Sequence, residues 1–238
     1  MPRTEKDHRG IVNQTGDAKI GDMKFVLASH NQKKLLELGD ILGTLGIEIV
    51  PLPAGAPEPD EDGGAFEANA LIKARAAAEY TGLPAVADDS GLCVDTLHGA
   101  PGVYSARYGS AEYFSYMEQH GLKAGLEPLP PKATDRDRCL RLLRDLEAAP
   151  DGQRTARFVC AIACVLPDGQ EFTVRGACEG EITRRMHGDG GFGYDPLFFV
   201  PEYGCTFGEL PAAIKNRVSH RAQALAAFAD ALKIKIQE

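Results

Sequence analysis

The chain has 238 residues, 44% of them apolar and 25% charged, with a formal net charge of −8. That is the composition of an ordinary globular protein, long enough for one large domain or two modest ones. The acidic balance argues against a bulk nucleic-acid binder, which needs a basic face, and no apolar run is long enough to span a bilayer; a small anionic ligand remains open.

Residues 1–22 are polar, mixed in charge and without periodicity, and read as a disordered extension. Residues 23–238 are expected to form one two-lobed domain. The six cysteines lack the two-residue spacing of a zinc or redox motif, and no secretory signal is evident. The expectation is a reduced cytoplasmic protein with free thiols, Cys160 and Cys164 sharing one face of a strand.

Lys24 to Ala28 is a short apolar strand. Ser29-His30-Asn31 makes a turn, and Leu35, Leu38, Ile41, Leu42 and Leu45 recur at helical period. Backbone N–H groups at such a strand–turn–helix junction attract anions. Lys33 and Lys34 stand in the first helical turn, where cations oppose the helix dipole unless a phosphate lies nearby. The plain alternative is two solvated lysines, one matched by Glu37.

Ile47 to Val50 is a second strand, and Pro51 to Gly64 is a loop carrying Glu58, Asp60, Glu61 and Asp62. Such acidic loops are usually only solvated. Phe66 to Tyr80 is an alanine-rich helix containing Lys73, closed by Gly82-Leu83-Pro84. The apolar run Leu83 to Ala87 then leads into Asp88-Asp89-Ser90-Gly91. This reads as a short buried strand whose tip carries two acids into a cleft, with Leu92-Cys93-Val94 as a separate strand. Adjacent carboxylates repel, and a hard divalent cation would hold both ionised. The bland alternative is turn chemistry.

Ser110 to Pro131 reads as one short helix followed by a surface excursion, and Asp135 to Ala148 as an amphipathic helix. Ala156 to Leu166 is a long strand paired with Phe172-Thr173-Val174, and Ala177 to Thr183 is a further strand. Gly188 to Pro196 holds four glycines in its first six positions, a loop able to approach a ligand closely. Phe192 and Tyr194 within it could stack on a nucleobase or tuck into the core. Leu197 to Val200 is a buried strand. Ser219 is a helix N-cap, with His220 and Arg221 in the first turn of an alanine-rich helix.

In this order, Ser29 to Lys34, Phe66-Glu67-Ala68-Asn69-Ala70, Ala87 to Leu92, Gly99 to Tyr108, Gly191 to Pro196, and Lys215 with Ser219-His220-Arg221 resemble the inosine triphosphate pyrophosphatase family. The resemblance runs from about Lys24 to the C-terminus. It implies an α/β fold, with an elongated mixed sheet flanked by helices and two lobes around a central cleft. It implies hydrolysis of ITP, dITP and XTP to monophosphate and pyrophosphate, Mg²⁺ as cofactor, and a homodimer. Ser29, His30, Asn31, Gln32, Lys33, Lys34 and Lys73 match the triphosphate side. Asp89 matches the acid that binds metal and activates water, and Glu61 its metal partner, with Asp60 as a substitute. Ser90 matches a substrate contact, Phe192 the base-stacking aromatic, and Gly193, Tyr194, Asp195, Lys215, His220 and Arg221 the surroundings of the purine. Two other readings stay open: a silent nucleotide-binding protein, and a pyrophosphatase for modified pyrimidine nucleotides. The chain departs from the family's pattern at residues 1–22 and in the long connection between Glu112 and Pro131.

Overall fold

The computed structural model describes residues 24–29, 32–43, 46–120 and 127–237; side chains at 32–34, 37, 40, 41, 236 and 237 lie outside the described set. The N-terminal extension and part of the 112–131 connection fall outside it as well.

The elements run β1 (Lys24–Leu27), α1 (Gln32–Gly43), β2 (Glu48–Pro51), α2 (Phe66–Thr81), β3 (Ala85–Val94), α3 (Ala111–Gln119), α4 (Asp135–Asp145), β4 (Thr155–Val165), β5 (Glu171–Ile182), β6 (Phe198–Val200), β7 (Cys205–Thr206), α5 (Ala212–Val218) and α6 (His220–Gln237). The strands form one mixed sheet in the order β2-β1-β3-β4-β5-β6-β7. β1 is parallel to β2 and β3, and the rest of the sheet is antiparallel.

The mixed sheet follows from the connections. Helices α1 and α2 give the crossovers that parallel strands need, while Pro167-Asp168-Gly169 closes a tight antiparallel hairpin between β4 and β5. Alanines Ala70, Ala74 and Ala77 let α2 lie close on one face, against Ala85, Ala87 and Ala163. Leu38 and Leu42 of α1 and Leu225 and Phe228 of α6 pack on the other, against Val86, Ile162 and Cys164. A further cluster gathers Leu92, Phe158, Ile182, Phe198 and Phe207 around the far ends of the same long strands. β3, β4 and β5 therefore run past both of these clusters, and the cleft opens over the middle of β3.

Three expectations are corrected. Asp88 and Asp89 do not sit at a strand tip, and Leu92-Cys93-Val94 is not a separate strand: β3 is continuous over 10 residues. The cause is β4, which pairs with all of it from Ala85↔Val165 to Val94↔Ala156. Gly91, which looks like a turn residue, serves close packing instead. A Cβ there would collide with the Gly102 carbonyl and the Ser105 hydroxyl of the 3-10 turn Gly102–Arg107. Likewise the two strands expected after Pro167-Asp168-Gly169 are one, β5, with Gly176 inside it because the backbone of α6 at His220 and Ala224 lies against it. β7 and α5 carry too little pattern to be read from sequence. Cys160 and Cys164 do share a buried face of β4.

Candidate active site

Alternation along β3 sorts the two adjacent aspartates to opposite faces of the sheet. Asp89 joins the α2 side. There Lys73 Nζ lies 3.2 Å from its Oδ1, and Asn69 Nδ2 donates to its Oδ2 at 3.3 Å. Asn69 and Lys73, four residues apart, occupy one face of α2. Asp88 joins the α6 side, where Ser90 Oγ donates to its Oδ2 at 3.3 Å and Arg221 Nε stands 3.8 Å away.

The acidic loop is drawn into the same site. Glu61 Oε1 is 3.1 Å from Lys73 Nζ, and the Gly63 N–H donates to Asn69 Oδ1 at 2.9 Å. Two carboxylates thus converge on one ammonium. Burial would depress the Lys73 pKa, but the charges of Asp89, Asp88 and Glu61 outweigh it and hold the lysine above its ordinary value. Burial pushes the Asp89 carboxyl above the usual range; Lys73 opposes this and Glu61 adds to it. Among the described residues no group of three or more metal-ligating side chains occurs. Two carboxylates completed by water and phosphate are nevertheless the ordinary way a protein holds Mg²⁺, and the all-oxygen pair Glu61 and Asp89 fits that ion.

A cleft of about 720 Å³ joins this centre to the glycine-rich loop. Phe192 is 43% exposed, a large apolar ring offered to the cleft. Lys215 Nζ lies 5.0 Å and Arg221 Cζ 5.8 Å from its ring centre. Lys215 is held by Asp195 Oδ2 at 2.5 Å, and the same oxygen accepts from the Phe192 N–H at 2.8 Å. Burial raises the Asp195 pKa against the pull of Lys215. Tyr194 turns inward, its hydroxyl donating to the Ser105 carbonyl at 2.8 Å, so it forms cleft wall rather than a platform. His220 stacks on Phe158 with ring centres 4.8 Å apart. Ser219 Oγ accepts from the Ala222 N–H at 3.3 Å, as expected of an N-cap.

A second pocket of about 360 Å³ opens beside Ala28, Ser29 and Asp88, where β1 ends and β3 runs on. Glu61, Lys73 and Arg107 line both pockets, so the two spaces meet at the carboxylate–lysine centre.

Of the residues singled out from sequence, Glu61, Lys73, Asp89, Ser90, Phe192, Gly193, Tyr194, Asp195, Lys215, His220 and Arg221 line the larger cleft, and Ser29 the smaller pocket. His30 and Asn31 lie outside the described residues. Gln32, Lys33 and Lys34 are described only as the first turn of α1. Sequence reasoning missed Asn69, Arg107, Asp135, Arg138 and Phe158. Asn69 and Arg107 had a signal, since both lie in stretches that carry the family resemblance; the others meet the site only through tertiary packing.

The fold and the cleft define a class: an α/β protein with a cation-lined, carboxylate-bearing site across the middle of a mixed sheet. The family follows from comparison with known proteins. Residues 25–231 match the Ham1 family, and the chain belongs to it. It is 48% identical over 205 residues to the dITP/XTP pyrophosphatase of Desulforamulus reducens, covering 85% of this chain and 92% of that protein. It is 46% identical over 211 residues to the dITP/XTP pyrophosphatase of Geobacter sulfurreducens, covering 88% and 96%. The Ham1 protein of Coxiella burnetii superposes with a TM-score of 0.76 at 41% identity, over 89% of this chain and 98% of that one.

Proposed function

We propose that this protein hydrolyses deaminated purine nucleoside triphosphates, ITP, dITP and XTP, to the monophosphate and pyrophosphate. One observation carries the reading: an exposed aromatic platform flanked by cations, Phe192 with Lys215 and Arg221, shares a single cleft with the Glu61–Lys73–Asp89 centre. A base and a phosphate chain need those two ends at once. The relatives named above act, by name, on dITP and XTP.

In this reaction water attacks the α-phosphorus. The new P–O bond forms as the bond to the bridging oxygen breaks, and pyrophosphate leaves with the electron pair. Asp89 orients the water and takes its proton, which suits a carboxyl whose pKa burial has raised. Lys73 offsets the charge growing on the phosphate oxygens. Asn31 and Lys34, together with Ser29, His30, Gln32 and Lys33, are assigned to the triphosphate by resemblance to the family. Glu61 and Asp89 would hold Mg²⁺, which when bound neutralises phosphate charge and orients the chain of phosphates. Glu61 pairs with Lys73 beside Asp89 and Asp60 does not, which favours Glu61 as the partner of Asp89.

Specificity rests on the 6-oxygen of the base. Lys215 offers a donor to an oxygen there; the amino group of adenine would leave that donor unpaired, at about 1–3 kcal/mol. A homodimer in the cytoplasm completes the proposal. No disulfide joins any of the six cysteines, which suits a reducing compartment, and no helix among the described residues is long and apolar enough to cross a membrane.

The test is pyrophosphate release from ITP, dITP, XTP, ATP and GTP, with and without Mg²⁺. Metal-dependent release that strongly favours the first three is expected. Release from modified pyrimidine triphosphates alone, or tight binding with no release, would replace this reading.

A further inference from the structure

Hydrolysis of both ITP and XTP poses a recognition problem. Inosine bears one exocyclic oxygen, at position 6; xanthosine bears a second at position 2, where guanosine carries an amino group. A 6-oxo donor alone cannot separate XTP from GTP.

Arg138 of α4 reaches the loop that carries Phe192. Its Nη2 donates to Asp135 Oδ1 at 2.5 Å, and Asp135 Oδ2 in turn accepts from the Gly193 N–H at 2.8 Å. Its Nη1 donates to the Ala133 carbonyl at 2.8 Å. These bonds fix the plane of the guanidinium. A guanidinium has five N–H groups, and the remaining three of Arg138 make no hydrogen bond among the described residues. The side chain is only 18% exposed and lines the nucleotide cleft beside Phe192 and Gly193. Lys215 comes to the same loop from a different element, α5, through Asp195. The base end of the cleft is therefore served by cations from separate elements, Lys215 and Arg221 at the Phe192 ring and Arg138 anchored at the next residue.

We propose that Arg138 is a specificity-determining residue that reads position 2 of the base. Its spare N–H groups donate to the 2-oxygen of xanthine, an edge that gains negative charge when the neighbouring ring N–H ionises. The same donors meet the 2-amino group of guanine donor to donor, leaving both unpaired. Inosine, with only hydrogen at position 2, is indifferent to Arg138. The inference rests on the purine assignment of the cleft.

The test compares wild type with Arg138→Met and Arg138→Lys. Two readouts are used: kcat/KM for ITP, XTP and GTP, and calorimetric affinity for IMP, XMP and GMP, which needs no turnover. A lost hydrogen bond to a charged group corresponds to about tenfold or more. Arg138→Met is expected to lower XTP turnover and XMP affinity by about that factor relative to ITP and IMP, and to narrow the gap to GTP and GMP. Arg138→Lys should recover part of the XMP affinity. An equal loss for inosine and xanthine nucleotides would reduce Arg138 to a prop for the loop and overturn the inference, as would unchanged XMP:IMP and GMP:IMP ratios. Failure of the pyrophosphatase reading looks different: wild type would then release no pyrophosphate from ITP, while the monophosphate affinities would still report on Arg138.

Discussion

Asp88 and Asp89 are neighbours in the chain but face opposite sides of β3, each with a cation of its own: Arg221 at 3.8 Å for Asp88, and Lys73 at 3.2 Å for Asp89. The repulsion that two consecutive carboxylates suggest is thus resolved by the pleat. It also divides their work. Asp89 belongs to the centre it shares with Glu61, whereas Asp88 braces the start of α6.

Asp89→Asn should abolish turnover, by about 10²–10⁴-fold or more, without loss of the fold. Burial raises the pKa of Asp89 in the folded protein. The folded state therefore binds its proton more tightly than the unfolded chain does. The stability this contributes is present below the ordinary carboxylate pKa and is lost as pH rises through the raised one. The asparagine variant, which carries no charge to bury, should accordingly melt no lower than wild type at pH 7, and its relative advantage should shrink toward pH 4. Paired melting curves at the two pH values decide this; a large loss of stability at pH 7 would show that the carboxylate holds the fold.

Lys73→Met leaves Glu61 and Asp89 facing one another without their shared ammonium. Breaking a largely buried ion pair costs about 3–5 kcal/mol, and the partial exposure of Glu61 places this site toward the low end. Added Mg²⁺ should raise the melting temperature of this variant more than that of wild type, because the ion takes over the neutralising role. An identical Mg²⁺ shift in both proteins would remove Glu61 and Asp89 as the metal pair.

Lys215→Met frees Asp195, whose pKa burial already raises and which Lys215 holds down. That pKa should climb further in the variant. The variant should then lose stability relative to wild type as pH rises from 5 to 8, since the folded state retains a proton the unfolded chain has released. Discrimination between ITP and ATP should fall by about tenfold at the same time. A flat pH profile with intact discrimination would separate Lys215 from both roles.

Gly176→Ala places a methyl group against the backbone of α6 at His220 and Ala224. Neither neighbour is a flexible side-chain end, so the helix must shift, at about 1–3 kcal/mol. His220 and Arg221 would move with it. Activity should fall more steeply than the melting temperature suggests; wild-type kinetics in a folded Gly176→Ala protein would show that the approach of α6 to β5 is not critical.

Much of this architecture is legible in the chain itself. The helix that starts at Phe66 and its glycine stop, the hairpin around Pro167-Asp168-Gly169 and the N-cap at Ser219 all rest on local chemistry, and all are present. What misleads is glycine inside strands. Gly91 and Gly176 look like interruptions, yet each marks a close approach by another element that is remote in sequence. The same limit applies to the site. Its charged residues stand out as types, but the pairing of Lys73 with Asp89 and of Lys215 with Asp195 spans 16 and 20 residues and is set by packing. Arg138 looks like one more charge on an amphipathic helix until α4 is laid against the glycine-rich loop.

The central claim is attack on the α-phosphorus from the Asp89 side. Its most direct test is hydrolysis of ITP with Mg²⁺ in ¹⁸O-labelled water, with products analysed by mass. Label in IMP, with unlabelled pyrophosphate in equal amount, is the predicted result. Label in pyrophosphate, or the appearance of IDP and orthophosphate, would contradict it.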